Sequence, residues 1–197
     1  MKNLFLTFLV MASLSGAAQK PFFRFTLEGI GDNREFHNGK SRAQTILGTL
    51  GSAEAGLTID GHSLVAGFSE LYEFGSSIDF HQPRLILYYV YDDADNSFRF
   101  GSFPRRGTID FPLAMLADTL LVYRPQIEGM AGQLHGAWGH QAAFVDWTGR
   151  QTETVREAFM AGTSGEVKKG DWFLQNFILL DHLAHTSVRI PDQHIKD

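Results

Sequence analysis

Between residues 22 and 30 the chain alternates, with Phe23, Phe25 and Leu27 on one face and Arg24, Thr26 and Glu28 on the other. That is the period of a strand with one apolar and one polar side. Residues 42–59 form a second, longer strand, bent or bulged at Gly48, Gly51 and Gly56. Asp60-Gly61 is a strong two-residue hairpin signal, and residues 62–71 return as a third strand. Two apolar and aromatic runs, 85–91 and 98–103, flank the polar link 92–96 and predict another hairpin, with Arg99 and Gly101 facing inward and Phe98 and Phe100 outward. The segment 103–119 then reads as a long loop, with one helical turn over 113–117 after Pro112. Residues 120–136 read as a strand that is edge-like or bulged at Pro125. A tight turn at Ala137-Trp138 leads to a strand over 140–147. Residues 154–167 are ambiguous: 155–161 suits a helix, but Gly162 and Gly165 disfavour one. A turn at 168–170 precedes a last strand over 171–183, and the polar segment 184–197 follows.

The connections at 60–61, 92–96, 136–139 and 168–170 are short. Those at 31–41, 72–82 and 103–119 are long, and 148–153 is intermediate. Regular alternation of this kind is the plan of an outer-membrane barrel, with short periplasmic turns and longer extracellular loops. Most of the strands also reach the nine to eleven residues that a tilted bilayer crossing needs. Tyr88, Tyr89, Tyr91, Phe98, Phe100, Phe103, Tyr123, Trp138, Trp147 and Trp172 mostly fall near strand ends, where aromatic girdles lie. The fold class expected is all-β: an antiparallel up-and-down meander of about nine strands, a transmembrane β-barrel or the N-terminal part of one. An odd count does not close such a barrel, so a continuation beyond residue 197 is expected. The alternative is a secreted, soluble β-sandwich that binds a glycan or a protein partner through aromatics such as Trp138 or Trp172.

Composition narrows the setting. Residues 1–18 combine Lys2, an apolar run and small residues before Gln19, the pattern of a secretory signal peptide, leaving 19–197 as the barrel domain. Export to the outer membrane follows, with a periplasmic or secreted location as the alternative. The absence of Cys removes disulfides, thiolate chemistry and lipoprotein anchoring. With 17 basic against 22 acidic residues, the chain lacks the basic surface that nucleic acid requires. Outer-membrane lipid and unidentified small solutes are the expected partners.

Several segments resemble an uncharacterised, porin-like outer-membrane β-barrel family of Gram-negative bacteria. They are Asp32-Asn33-Arg34-Glu35-Phe36, Gly101-Ser102-Phe103-Pro104-Arg105-Arg106, Tyr123-Arg124-Pro125 with Glu128-Gly129, Asp146-Trp147-Thr148-Gly149-Arg150-Gln151 and Arg156-Glu157-Ala158-Phe159. The resemblance implies outer-membrane placement and passive passage or binding of small solutes, and it supplies no catalytic residues.

Polar positions on the inward face are the candidate lumen or solute-binding residues: Arg24, Glu28, Asp32, Arg34, Arg99, Arg124, Glu128 and Asp146. Facing Arg and Glu would set a transverse field across a lumen, or would simply neutralise each other. Asp32 and Arg34 also suit an ordinary polar turn, and Arg105-Arg106 a solvated loop. Carboxylate pairs, Glu28 with Asp32 or Glu128 with Asp146, carry the weaker reading of a secreted glycoside hydrolase. His182-x-x-His185 has the spacing of helical metal ligands, but on a strand its two rings point to opposite faces. His135 and His140 straddle a turn without an evident third ligand. No catalytic residue, metal or cofactor is expected.

Overall fold

Long alternating strands joined by tight turns have one economical solution, each strand pairing with the next, and the chain adopts it. The computed structural model describes residues 19–35, 44–76, 83–112, 114–116, 118–152 and 155–184. The strands are β1 (Lys20–Arg34), β2 (Gln44–Ile59), β3 (His62–Glu73), β4 (Arg84–Asp92), β5 (Asn96–Pro104), β6 (Gln126–Gly136), β7 (Gly139–Gly149), β8 (Ala158–Lys169) and β9 (Trp172–Leu183). One short helix, α1 (Asp118–Tyr123), precedes β6. All neighbours are antiparallel, in the order β1 to β9 within one sheet. The all-β meander expected from the alternation is therefore the fold, and no pairing joins β9 back to β1 among the described residues.

The turns follow their chemistry. Asp60 and Gly61 both have positive φ, 49° and 83°, as a type I′ hairpin requires. Between β4 and β5, Asp93 Oδ1 accepts the backbone N–H groups of Asp95 at 2.8 Å and Asn96 at 2.7 Å. This folds the 92–96 link by side-chain capping. Those backbone hydrogen bonds, Asp95 first, and the Tyr91 hydroxyl hold the Asp93 carboxyl below its ordinary range.

Side chains sort by parity. In β3, Val65, Ser69 and Leu71 are buried while Leu64, Phe68 and Tyr72 are exposed. In β1, Phe23, Phe25 and Leu27 are 75–79% exposed. In β5, Phe98 and Phe100 point outward and Phe103 is fully buried, as the alternation predicts. Exposed and half-buried rings gather near strand ends: Tyr89, Tyr91, His62, Trp138 and Trp172 beside the short turns, and Tyr72, Phe74, Trp147 and Phe159 at the opposite end. An apolar exterior flanked by aromatics over a mixed interior is the distribution of a transmembrane barrel wall. No helix among the described residues is long and apolar enough to cross a membrane.

One buried cluster draws Val65 of β3, Ile86, Tyr88 and Val90 of β4, Phe103 of β5, Ile127 and Ala131 of β6, Phe144 of β7 and Met160 of β8 together. Phe22 of β1 and Leu179 of β9 pack on the same cluster, so the sheet curves around a common interior.

Two expectations change, and one ambiguity resolves in favour of a strand. Residues 120–123, read as the start of a strand, belong to α1, and Pro125 stands between helix and strand instead of inside the sheet. The apolar run Leu120-Leu121-Val122-Tyr123 has no period long enough to separate the two states. The ambiguous segment after residue 154 becomes β8, where a Cβ on Gly162 would come within 2.8 Å of the Ile178 carbonyl of β9. The 103–119 segment does not stay outside: Ile109, Phe111 and Leu116 pack into the concave side. The signal segment 1–18, parts of the loops at 36–43 and 77–82, and residues 185–197 lie outside the described residues.

Gly101 has φ of 124°, and a Cβ there would stand 2.3 Å from the Leu87 carbonyl oxygen of β4. Gly101→Ala is expected to cost about 1–3 kcal/mol, lowering the unfolding midpoint in lipid nanodiscs. Gly29→Ala, where nothing lies within 4 Å, should be neutral. A folded-state Asp93 carboxyl held below its unfolded value stabilises the turn at neutral pH and stops doing so as pH falls through the depressed value. Protection of the Asp95 and Asn96 amides should therefore persist on acidification into the ordinary carboxylate range and vanish below it, and Asp93→Ala should abolish it at neutral pH.

Candidate functional site in the interior cleft

The β5–β6 connection decides what the concave side is. Arg105, immediately after β5, has no solvent exposure. Its Nε donates to the Arg124 carbonyl at 3.1 Å and its Nη2 to the Gln126 carbonyl at 3.0 Å. The same Nη2 pairs with Asp146 Oδ2 of β7, itself fully buried. Asp146 Oδ1 accepts the Glu128 amide at 2.9 Å, so one carboxylate joins loop and β6 on β7. Thr108 adds a bond from its hydroxyl to the Pro104 carbonyl at 2.7 Å, and its own carbonyl accepts Gln133 Nε2 at 2.8 Å. Phe111 then reaches Phe144 and Phe177 at ring separations of 5.8 and 6.0 Å. The solvated-loop reading of Arg105 is thereby corrected: its partner is 41 residues downstream, and no local pattern announces it.

What remains open between this loop and β1–β4 is a cleft in two adjoining parts. One, of about 520 Å³, is lined by Phe22, Val65, Val90 and the guanidinium-bearing Arg24, Arg99 and Arg106, with Asp92 at its rim. The other, of about 300 Å³, is predominantly apolar, with Leu50, Ile86, Leu121 and Pro125 in its wall. Arg24, Pro104, Arg106 and Gly107 line both. At the shared wall the buried Glu54 of β2 accepts the Tyr88 hydroxyl at 2.9 Å and Arg24 Nη1 at 3.3 Å through one oxygen. Arg106 Nη2 meets Glu28 Oε1 at 2.6 Å, and Arg99 Nη1 donates to the Thr108 hydroxyl at 2.6 Å. Buried Ser69 accepts Gln126 Nε2.

The structure brings Arg24, Glu28 and Arg99 to this cleft and Asp146 to the anchor behind it. Asp32 shares the inward parity of β1 beyond Glu28. Arg34 ends β1, and its side chain lies outside the described residues. Arg124 sits between α1 and β6 with Nη1 donating to the Thr148 carbonyl at 3.0 Å. Glu128 is exposed, on the parity of Met130 and Leu134. The two proposed carboxylate pairs do not make a glycosidase centre. Glu128 is exposed while Asp146 is buried. Glu28 and Asp32 are four residues apart along one strand, about 13 Å, beyond the roughly 5–9.5 Å that such chemistry uses.

His135 and His140 stack at 6.0 Å beside a short turn, and His182 stacks on Phe159 at 4.6 Å. His185 lies outside the described residues. No group of three or more His, Cys, Asp or Glu side chains poised for a metal occurs among the described residues. Glu54 and Ser69 were not singled out in the sequence, and Tyr88, read there as a girdle aromatic, is buried on the inward face. The available signal was an acid inside the small-residue run Ser52-Ala53-Glu54-Ala55, where an unpaired carboxylate would be costly.

Residues 15–180 match the family described as Lipid A 3'-O-deacylase-type, a match that spans most of the chain. Neither the curated proteins nor the solved structures contain a match. The family is outer-membrane-associated, in agreement with the strand-built wall. It overturns the resemblance to uncharacterised porin-like proteins, and with it the expectation of a passive, non-enzymatic solute carrier. The filled concave side gives the physical reason: Arg105, Phe111 and Leu116 occupy space that a passive channel would leave to water. The soluble glycan- or protein-binding sandwich fails as well, because the sheet is a single curved meander whose outward face carries rows of large apolar side chains, Phe23, Phe25, Leu64, Phe68, Phe98 and Phe100 among them.

Removing one partner of the buried pair leaves the other charged without compensation, at a cost of about 3–5 kcal/mol. Asp146→Ala is expected to show that loss in denaturant unfolding from nanodiscs. The double variant Arg105→Met/Asp146→Leu should recover much of it.

Proposed function

We propose that this chain, which belongs to the Lipid A 3'-O-deacylase-type family, is an outer-membrane hydrolase that removes the ester-linked 3'-O acyl chain of lipid A. The observation that carries the reading, beside the family match, is the inversion of the molecule: apolar side chains cover the outside and the chain's own loop occupies part of the inside. A protein built this way meets lipid over its whole strand surface and offers solutes no wide aqueous path. An acylated glycolipid diffusing in the membrane reaches it without leaving the bilayer.

The reaction is ester hydrolysis. Water adds at the acyl carbonyl, the bond between that carbon and the sugar oxygen breaks, and a fatty carboxylate and a free 3'-hydroxyl result. The aromatics at both ends of the strands suit residence at the two water–lipid interfaces, which fixes the depth of the protein against the ester of a lipid headgroup. Trp147, Phe159 and His182 stack in series across β7, β8 and β9 at the long-loop end, with ring separations of 5.5 and 4.6 Å. With the short turns on the periplasmic side, that end faces the outer leaflet, where lipid A resides. Residues 1–18 supply the export signal on this reading.

Purified protein in outer-membrane lipid, incubated with lipid A, is expected to yield a product lighter by one acyl chain at the 3'-O position, with one free fatty acid per molecule. Mass spectrometry reads both. Folded protein that leaves the acylation pattern unchanged contradicts the proposal.

A further inference from the structure

We propose that the interior cleft is a binding site for a fatty carboxylate, with the head group on Arg99 and its neighbouring guanidiniums and the tail in the adjoining apolar part. Three observations carry this. First, Arg24, Arg99 and Arg106 line one cavity. Arg24 and Arg106 each have an acid partner, Glu54 and Glu28, whereas Arg99 donates to the neutral Thr108 hydroxyl. No carboxylate pairs with Arg99 among the described residues, so its charge stands in a half-enclosed site with donors to spare. Second, the surface of the adjoining part is mostly apolar, with Leu50, Ile86, Leu121 and Pro125 in its wall. Glu28 and Glu54 also line it but are engaged by Arg106 and by Arg24 and Tyr88. The shared residues Arg24 and Arg106 stand where a head would pass into a tail. Third, the two volumes, about 520 and 300 Å³, lie in the ordinary size range of small-molecule sites. Asp92 lines the larger part as well, forms no ion pair with Arg99 among the described residues, and makes a poor neighbour for an anion.

A planar carboxylate matches a guanidinium fork better than a hydroxyl or a cation does, and an alkyl tail matches the second part. The choice of a fatty carboxylate over other anionic amphiphiles rests on the deacylase reading, in which that molecule is the product released. The binding itself does not require turnover.

The test uses the full chain in lipid nanodiscs and dodecanoate labelled with ¹³C at the carboxyl carbon. The expected result is a saturable carboxyl resonance distinct from that in empty nanodiscs. Arg99→Gln should weaken binding about tenfold or more, whereas Arg99→Lys, which keeps the charge, should retain most of it. Dodecanol and inorganic phosphate should each compete poorly, since one lacks the charge and the other the tail. The inference is overturned if folded Arg99→Gln binds dodecanoate as the unaltered protein does, if dodecanol competes equally, or if phosphate alone competes equally. Binding that meets these criteria in a protein inactive on lipid A would sustain the site and remove only its link to the product. Acyl release without such binding would remove the site and leave the proposed activity standing.

Discussion

A guanidinium with no access to water is among the costliest groups a protein can bury, and Arg105 is tolerable only because Asp146 and two backbone carbonyls surround it. The pair does more than cancel its own penalty. It fixes the start of the β5–β6 connection against β6 and β7, and from that fixed point Thr108, Phe111, Leu116 and α1 are laid into the concave side. Without the anchor the same apolar residues would have no reason to leave the rim. Every later feature of the interior, including the cleft and its separation from the packed cluster, depends on where this loop is held.

The exterior follows from the opposite rule. Strands that alternate strictly put Phe23, Phe25, Leu27, Leu64, Phe68, Leu85 and Leu87 on one continuous outward surface. In water such a surface far exceeds the few hundred Å² of apolar patch that soluble monomers carry. In a bilayer it costs nothing, and the antiparallel ladder satisfies the backbone groups that lipid cannot. A filled interior and a lipid-matched exterior together favour chemistry on a membrane component over transport of a solute. The family to which the chain belongs carries the same implication.

Most of the wall was legible from the residues. The Asp60-Gly61 turn, the inward Arg99 and the outward Phe98 and Phe100 all follow from period two and turn chemistry, which act over a few residues. What stayed hidden depends on distance in the chain. The burial of Arg105 is set by Asp146, and the helical state of Asp118–Tyr123 by the concave surface it packs on. Glu54 becomes meaningful only when Tyr88 and Arg24 arrive from strands far away in sequence. The porin-like reading shared that blind spot. Alternating short and long connections identify a barrel, but what fills it is decided by contacts that local pattern does not encode.

The most direct check on the inverted arrangement exploits the absence of native cysteine. A nitroxide attached at Leu87→Cys, and separately at Phe100→Cys, reports collision with oxygen, which concentrates in lipid, and with a water-soluble nickel chelate. Both sites are predicted to be open to oxygen and shielded from the chelate when the protein is in membranes. Ready collision with the chelate at both positions would place the outward face in water and contradict the account.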